Sequence, residues 1–154
     1  MGKMGAHHCA GLASFNKELV VNVPVGVTIS ALSTASKSLT ATGLTTELYR
    51  NTIKAIDLLS RTNADRKAIF LMSDGQAEDK AYFHEDVIKS AAKHGIIINT
   101  LGFPRSVALS VALQTLRRMS EETGGQFVET DMRFELPESF LQAPFYNIDR
   151  GGSL

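Results

Sequence analysis

The chain has 154 residues, 44% of them hydrophobic and 21% charged, proportions that fit one domain with a real core. Sixteen basic residues balance sixteen acidic ones, so no net field draws the protein to nucleic acid or to an anionic membrane. No apolar run reaches bilayer length, residues 1–8 carry no signal-peptide core, and the single cysteine, Cys9, excludes an internal disulfide and points to the cytoplasm.

His8 to Phe15 reads as a strand of small residues, with Cys9 buried in it. Asn16-Lys17 makes a two-residue turn, and Leu19 to Val25 returns as an antiparallel strand. Pro24 donates no ladder hydrogen bond and places that strand at a sheet edge. Residues 26–43 read as loop, with a short helical turn around Ile29 to Lys37. From Thr45 to Ser60, Leu48, Thr52, Ala55, Ile56 and Leu59 mark one helical face. Ala68 to Ser73 is apolar or small without polar alternation, the pattern of a strand covered on both faces. A helix over about Asp79 to His94 follows, with Phe83, Val87, Ile88 and Ala91 inward and Gly95 at its C-cap. Ile96 to Gly102 is a second buried strand. Ser106 caps a third helix with Leu109, Ala112, Leu113, Leu116 and Met119 inward, Thr123-Gly124-Gly125 ends it, and Gln126 to Glu129 is a short last strand. Residues 135–142 read as one or two helical turns. Strands alternating with helices at this spacing predict an α/β fold: a doubly wound, mostly parallel sheet in three layers, with one antiparallel edge strand.

In such sheets ligands collect beyond the carboxyl ends of the strands, where Asp74-Gly75 follows the first buried run. A turn alone explains this pair, since Asp tolerates tight turns and Gly permits positive φ. Thr45 reads equally as a helix N-cap, and Ser73 as a packed strand residue. His7 and His8 are too few and too close together to hold a metal, while His84 and His94 share no chelating face. Arg117-Arg118 is a solvated placement near a helix end. Gly102-Phe103-Pro104-Arg105 lies at another strand exit, where a plain connecting loop competes with a place on a binding rim.

Four segments, in order, resemble a von Willebrand factor type A domain of bacterial type: Gly11-Leu12-Ala13-Ser14-Phe15-Asn16, Thr42-Gly43-Leu44-Thr45-Thr46, Ser73-Asp74-Gly75, and Gly95 to Gly102 followed by Leu116 to Gly125 with its Glu-Glu-Thr-Gly-Gly exit. The resemblance covers about residues 8–131 and implies a Rossmann-like fold that binds other proteins through a metal-ion-dependent adhesion site. Thr45 would be a hydroxyl ligand and Asp74 a carboxylate ligand of Mg2+. The family's opening strand ends in Asp-x-Ser-x-Ser, and no such triplet occurs here. The central first strand and first helix are therefore expected to be missing, which leaves magnesium weakly held or absent. Either the strands at 8–15 and 67–73 pair directly, or a gap exposes unpaired edges that recruit other chains. A truncated piece of a longer protein accounts for this best.

The domain is set at residues 8–143, with 1–7 as leading residues and 144–154 as a tail or linker. The resulting expectation is a non-enzymatic protein-binding module with a degenerate adhesion site. Its partner, another protein or the rest of its own chain, would meet Ser73, Gly75, Gln76, Thr46, Phe103 and Arg105. Two alternatives stand beside it. One is an enzyme using Asp74 as phosphoacceptor or nucleophile, against which the chain has no Gly-x-Ser-x-Gly elbow and no phosphate-cradling loop. The other is a structural fragment that pairs through an exposed sheet edge, self-association among the outcomes.

Overall fold

The apolar runs at 67–73 and 96–102 lie side by side as parallel strands, and helices pack against that pair to form the core. The computed structural model describes residues 8–40, 45–103 and 110–130. In chain order the elements are β1 (Leu12–Phe15), β2 (Leu19–Val23), α1 (Ile29–Lys37), α2 (Leu48–Ser60), β3 (Lys67–Ser73), α3 (His84–His94), β4 (Ile96–Gly102), α4 (Ser110–Glu121) and β5 (Phe127–Glu129). Strands β3, β4 and β5 form a parallel sheet in that order, while β1 and β2 form a separate antiparallel pair. The fold is α/β, as the alternation of strand and helix patterns predicts.

The register of β3 on β4 runs from Lys67 opposite Ile96 to Ser73 opposite Gly102. Side chains alternate across a strand, so Leu71 shares a face with Ile96 and Ile98. Those three join Leu48 and Ile56 of α2, Val87 and Ala91 of α3, and Leu113, Leu116 and Met119 of α4 in one core cluster. Each large aliphatic side chain withdrawn from water there contributes about 1.5–3 kcal/mol. One buried polar contact crosses this layer: Thr100 Oγ1 donates to the Leu116 carbonyl at 3.0 Å and meets Ser120 Oγ at 2.5 Å.

β4 is covered along nearly its whole length, but β3 is not. Leu71 and Ser73 are buried, whereas Phe70 and Met72, on the opposite face, are 39% and 52% exposed. The expectation that residues 68–73 are covered on both faces is thus corrected for this strand. An unbroken apolar run does not distinguish a central strand from one at a sheet edge. Nor do β1 and β3 pair: among the described residues no ladder joins the hairpin to the parallel sheet. The hairpin is held instead by Phe15 against the core cluster and by its turn. The Asn16 carbonyl accepts the Glu47 N–H at 3.0 Å and Asn51 Nδ2 at 3.0 Å.

Several boundaries also move. The strand at 8–15 is ordered as a strand only from Leu12, and Cys9 is exposed rather than buried. Phe15 pairs with Leu19, so the turn spans three residues, and β2 ends at Val23 before Pro24. Residues 29–37 form a full helix, not one turn. Phe83 is not an inward helical residue but the N-cap of α3, 59% exposed, its N–H donated to Asp86 at 2.9 Å. Gly95 is the left-handed C-cap as expected, at φ 62°. Ser106, Leu109 and residues 135–142 lie outside the described residues.

The Glu-Glu-Thr-Gly-Gly exit of α4 has a direct physical account. Thr123 Oγ1 accepts the Ile98 N–H at 3.0 Å, Asn99 Oδ1 accepts the Gln126 N–H at 3.0 Å, and Thr100 N–H donates to the Gln126 carbonyl at 2.9 Å. These bonds press Gly125 onto β4, where a Cβ would stand 2.0 Å from the Ile98 carbonyl oxygen. Gly125→Ala is therefore expected to destabilise the protein by about 1–3 kcal/mol, the usual cost of overpacking. A urea midpoint equal to that of the wild type would contradict this.

Candidate functional site at the carboxyl rim of the parallel sheet

β3 delivers Ser73 and Asp74 to the sheet's carboxyl end, 5% and 8% exposed respectively. The turn that follows is locally determined. Ser73 Oγ accepts the Gly75 N–H and Asp74 Oδ1 accepts the Gln76 N–H, each at 3.1 Å, the self-closing turn that Ser and Asp favour. Gly75 sits at φ 78°, and a Cβ there would lie 2.5 Å from the Ala112 carbonyl oxygen. Conformation and space both demand glycine, and the turn is pressed against the start of α4. The neighbouring strand exit joins in, since Phe103 N–H donates to the Ser73 carbonyl at 3.2 Å.

The loop then crosses to α2. Glu78 N–H donates to the Thr46 carbonyl at 2.8 Å, and the Thr46 N–H reaches Glu78 Oε1 at 3.4 Å. Asp79 accepts the N–H of Tyr49 at 3.1 Å and of Arg50 at 2.8 Å. A helix leaves its first N–H groups without internal partners. Glu47, the N-cap of α2, makes no side-chain cap bond, and Asp79 supplies the acceptors and a favourable charge from about thirty residues away.

Of the residues expected at the site, Ser73 bonds Gly75 and Phe103, Asp74 bonds Gln76, and Thr46 joins the same loop through Glu78. Thr45 is not the N-cap of α2, which begins three residues later; the link to the loop runs through Thr46. Arg105 and residues 41–44 lie outside the described residues. Glu78 and Asp79 are missed by sequence reasoning. Their acidic pair just past a strand exit is visible, but no local signal names a helix terminus far along the chain as their partner.

Asp74 accepts a backbone N–H, and among the described residues no group of three or more His, Cys, Asp or Glu side chains comes together to hold a metal. Magnesium takes six oxygens in near-octahedral array.

Beside the rim, an open depression of about 410 Å³ is lined by Lys17, Thr45, Glu47, Arg50, Glu78 and Asp79, among others. Two of these lining residues, Glu47 and Arg50, belong to an ion-pair group. Lys54 meets Glu18 at 2.7 Å, Arg50 also pairs with Glu18, and Arg50 meets Glu47 at 2.9 Å. Hydrogen bonds from Lys54 and then Arg50 lower the Glu18 carboxyl from 4.5 to about 2.

Two outcomes follow for stability. Asp79→Ala should lose about 1–2 kcal/mol, as when a capping acceptor is deleted, with Asp79→Asn between the two; urea denaturation measures both. Because the folded-state value of Glu18 is depressed, its stabilising contribution is present above the ordinary value near 4.5 and is lost as pH falls toward about 2. The group is exposed, so the effect is small. Glu18→Gln should flatten the acid limb of a stability–pH curve over that window, and an unchanged limb would exclude the role.

The structure resembles two solved ones. An aerotolerance-related membrane protein from Bacteroides fragilis, carrying multiple mutations to serines, superposes with a TM-score of 0.63 and 18% identity over 98% of this chain and 81% of that one. The SpRpn10 VWA domain superposes with a TM-score of 0.59 and 13% identity over 87% of this chain and 70% of that one. No protein-family model and no curated protein matches the chain. At such identities the likeness is one of backbone architecture: the chain has a von Willebrand factor type A fold.

Proposed function

We propose that this chain is a non-enzymatic protein-binding module whose docking face is the carboxyl rim of β3 and β4. The observation that carries the reading is the pinning of the 73–79 loop. Gly75 is wedged against α4, and Glu78 and Asp79 are bonded to the start of α2. A loop held at both ends presents a surface formed before the partner arrives, which lowers the ordering cost of association. Gln76 and Glu78 are exposed on it, Phe103 is half-buried beside it, and Val111, next to the Ala112 that touches Gly75, is 76% exposed.

The solved VWA domain of similar fold supports a role in protein interaction. In this proposal Thr45 and Asp74 are remnants of an adhesion site, with magnesium weak or absent, and Arg105 joins the contact surface. The domain limits of 8 and 143 and the cytoplasmic setting belong to the same reading. No helix among the described residues is long and apolar enough to cross a membrane. Against the enzyme alternative, Asp74 is buried and its carboxylate is engaged by the turn, a poor disposition for a nucleophile that must meet a phosphodonor.

Calorimetry with magnesium or manganese should show no micromolar binding, and beryllofluoride should leave Asp74 unmodified. Micromolar affinity abolished by Asp74→Ala would restore the metal site. In cells, crosslinked partners identified by mass spectrometry should be lost from the double variant Gln76→Arg, Val111→Glu, with its unfolding free energy in urea within about 0.5 kcal/mol of wild type, as expected for exposed positions. Partners retained in full would place the docking face elsewhere.

A further inference from the structure

We infer that the open depression beside the rim is a binding site for a phosphate monoester. The docking face is a separate matter, and the inference does not rest on it. Three segments distant in the chain make the walls: the hairpin turn with Lys17, the start of α2 with Thr45, Glu47 and Arg50, and the loop before α3 with Glu78 to Tyr82. Each wall is tied to the next. Arg50 Nη2 donates to the Lys17 carbonyl at 3.2 Å, the Glu47 N–H donates to the Asn16 carbonyl at 3.0 Å, and Asp79 accepts the Tyr49 and Arg50 N–H groups. The depression is therefore formed before any ligand enters. Its volume of about 410 Å³ falls in the usual range for small-molecule sites.

The ligand's chemistry follows from which wall groups are already engaged. Glu47 pairs with Arg50 at 2.9 Å, Asp79 serves the first turn of α2, and Glu78 accepts the Thr46 N–H at 3.4 Å. Arg50 is in turn matched by Glu18 and Glu47. The side chains of Lys17, Lys80 and Thr45 are different: they make no hydrogen bond or ion pair among the described residues. What the walls offer a ligand is thus two ammoniums, from separate segments, and a hydroxyl. A phosphate monoester at neutral pH carries about two negative charges and three strong acceptor oxygens, so one group can answer all of them. A carboxylate has a single charge and would leave one ammonium unmatched, and a cation would meet both. Tyr82, 40% exposed on the same wall, gives the carbon portion of the ester an aromatic surface. Glu78 has no cation of its own among these pairs, which makes it the wall group that opposes an anion.

The full chain is titrated with O-phosphoserine and, separately, with a short peptide carrying one phosphoserine, both to millimolar concentration, and backbone amide shifts are followed by NMR. The shifts should saturate and centre on residues 17–18, 45–50 and 78–82, and the unphosphorylated peptide should produce none. Lys17→Ala and Lys80→Ala should each weaken binding roughly fivefold, the scale of one partly screened ion pair. Glu78→Gln should tighten it, and Lys80→Glu should abolish it. Lys89→Glu makes the same charge change on α3, outside the depression, and should bind as wild type does. All four positions are exposed, and the wild-type shift map decides the matter even if a variant misfolds. Tighter binding of the peptide would assign the phosphate to a modified protein side chain, and tighter binding of the free amino acid to a small metabolite; either supports the site. No saturable shift with either probe, shifts centred elsewhere, or equal losses in Lys89→Glu and Lys80→Glu would each overturn the inference.

Discussion

Everything in this molecule is referred to the parallel ladder between β3 and β4. Seven residues of each strand are held in strict register, Lys67 to Ile96 through Ser73 to Gly102. Because side chains alternate with a period of two, that register decides which residues enter the core and which do not. It sets Leu71, Ile96 and Ile98 toward the helices and turns Phe70 and Met72 away. It also brings two strand exits together, so that the Ser73 carbonyl can accept the Phe103 N–H. A slip of one residue would bury the wrong set and separate the two halves of the rim.

The rim is rigid for reasons that come from outside β3. The turn at Ser73 to Gln76 closes on itself through short side-chain bonds, but its direction is set by α4, whose Ala112 carbonyl leaves no room for a Cβ at Gly75. Beyond it, Asp79 supplies acceptors that the first turn of α2 lacks. One loop therefore satisfies a helix terminus and is itself held by that terminus. Hydrogen bonds of this sort contribute about 1 kcal/mol each in net terms, far less than the buried aliphatic cluster. Their role is to choose one loop conformation.

The hairpin is attached in a third way, through its turn. Asn16 offers its carbonyl to Glu47 and Asn51, and Glu18 draws in Arg50 and Lys54. With these bonds and Phe15, the antiparallel pair is fastened to α2 and the core, and among the described residues no ladder joins it to the parallel sheet.

Much of the architecture was legible from local residue patterns. The runs at 67–73 and 96–102 announced strands, the helical spacing of Leu113, Leu116 and Met119 announced the inward face of α4, and Gly95 announced a C-cap, because each signal resides within a few residues and reflects local backbone geometry. Ser73, Asp74 and Gly75 could be placed at a strand exit for the same reason. What local pattern could not reach is everything settled by segments distant in the chain. Asp79 rather than Thr45 serves the start of α2, since a carboxylate thirty residues away reaches those N–H groups. Phe83 leaves the core because α3 begins after it. Phe70 and Met72 are 39% and 52% exposed, and an apolar side chain carries no record of whether another strand or helix will come to cover it. Local preference determined the elements; which faces and edges they left open was decided by how they packed.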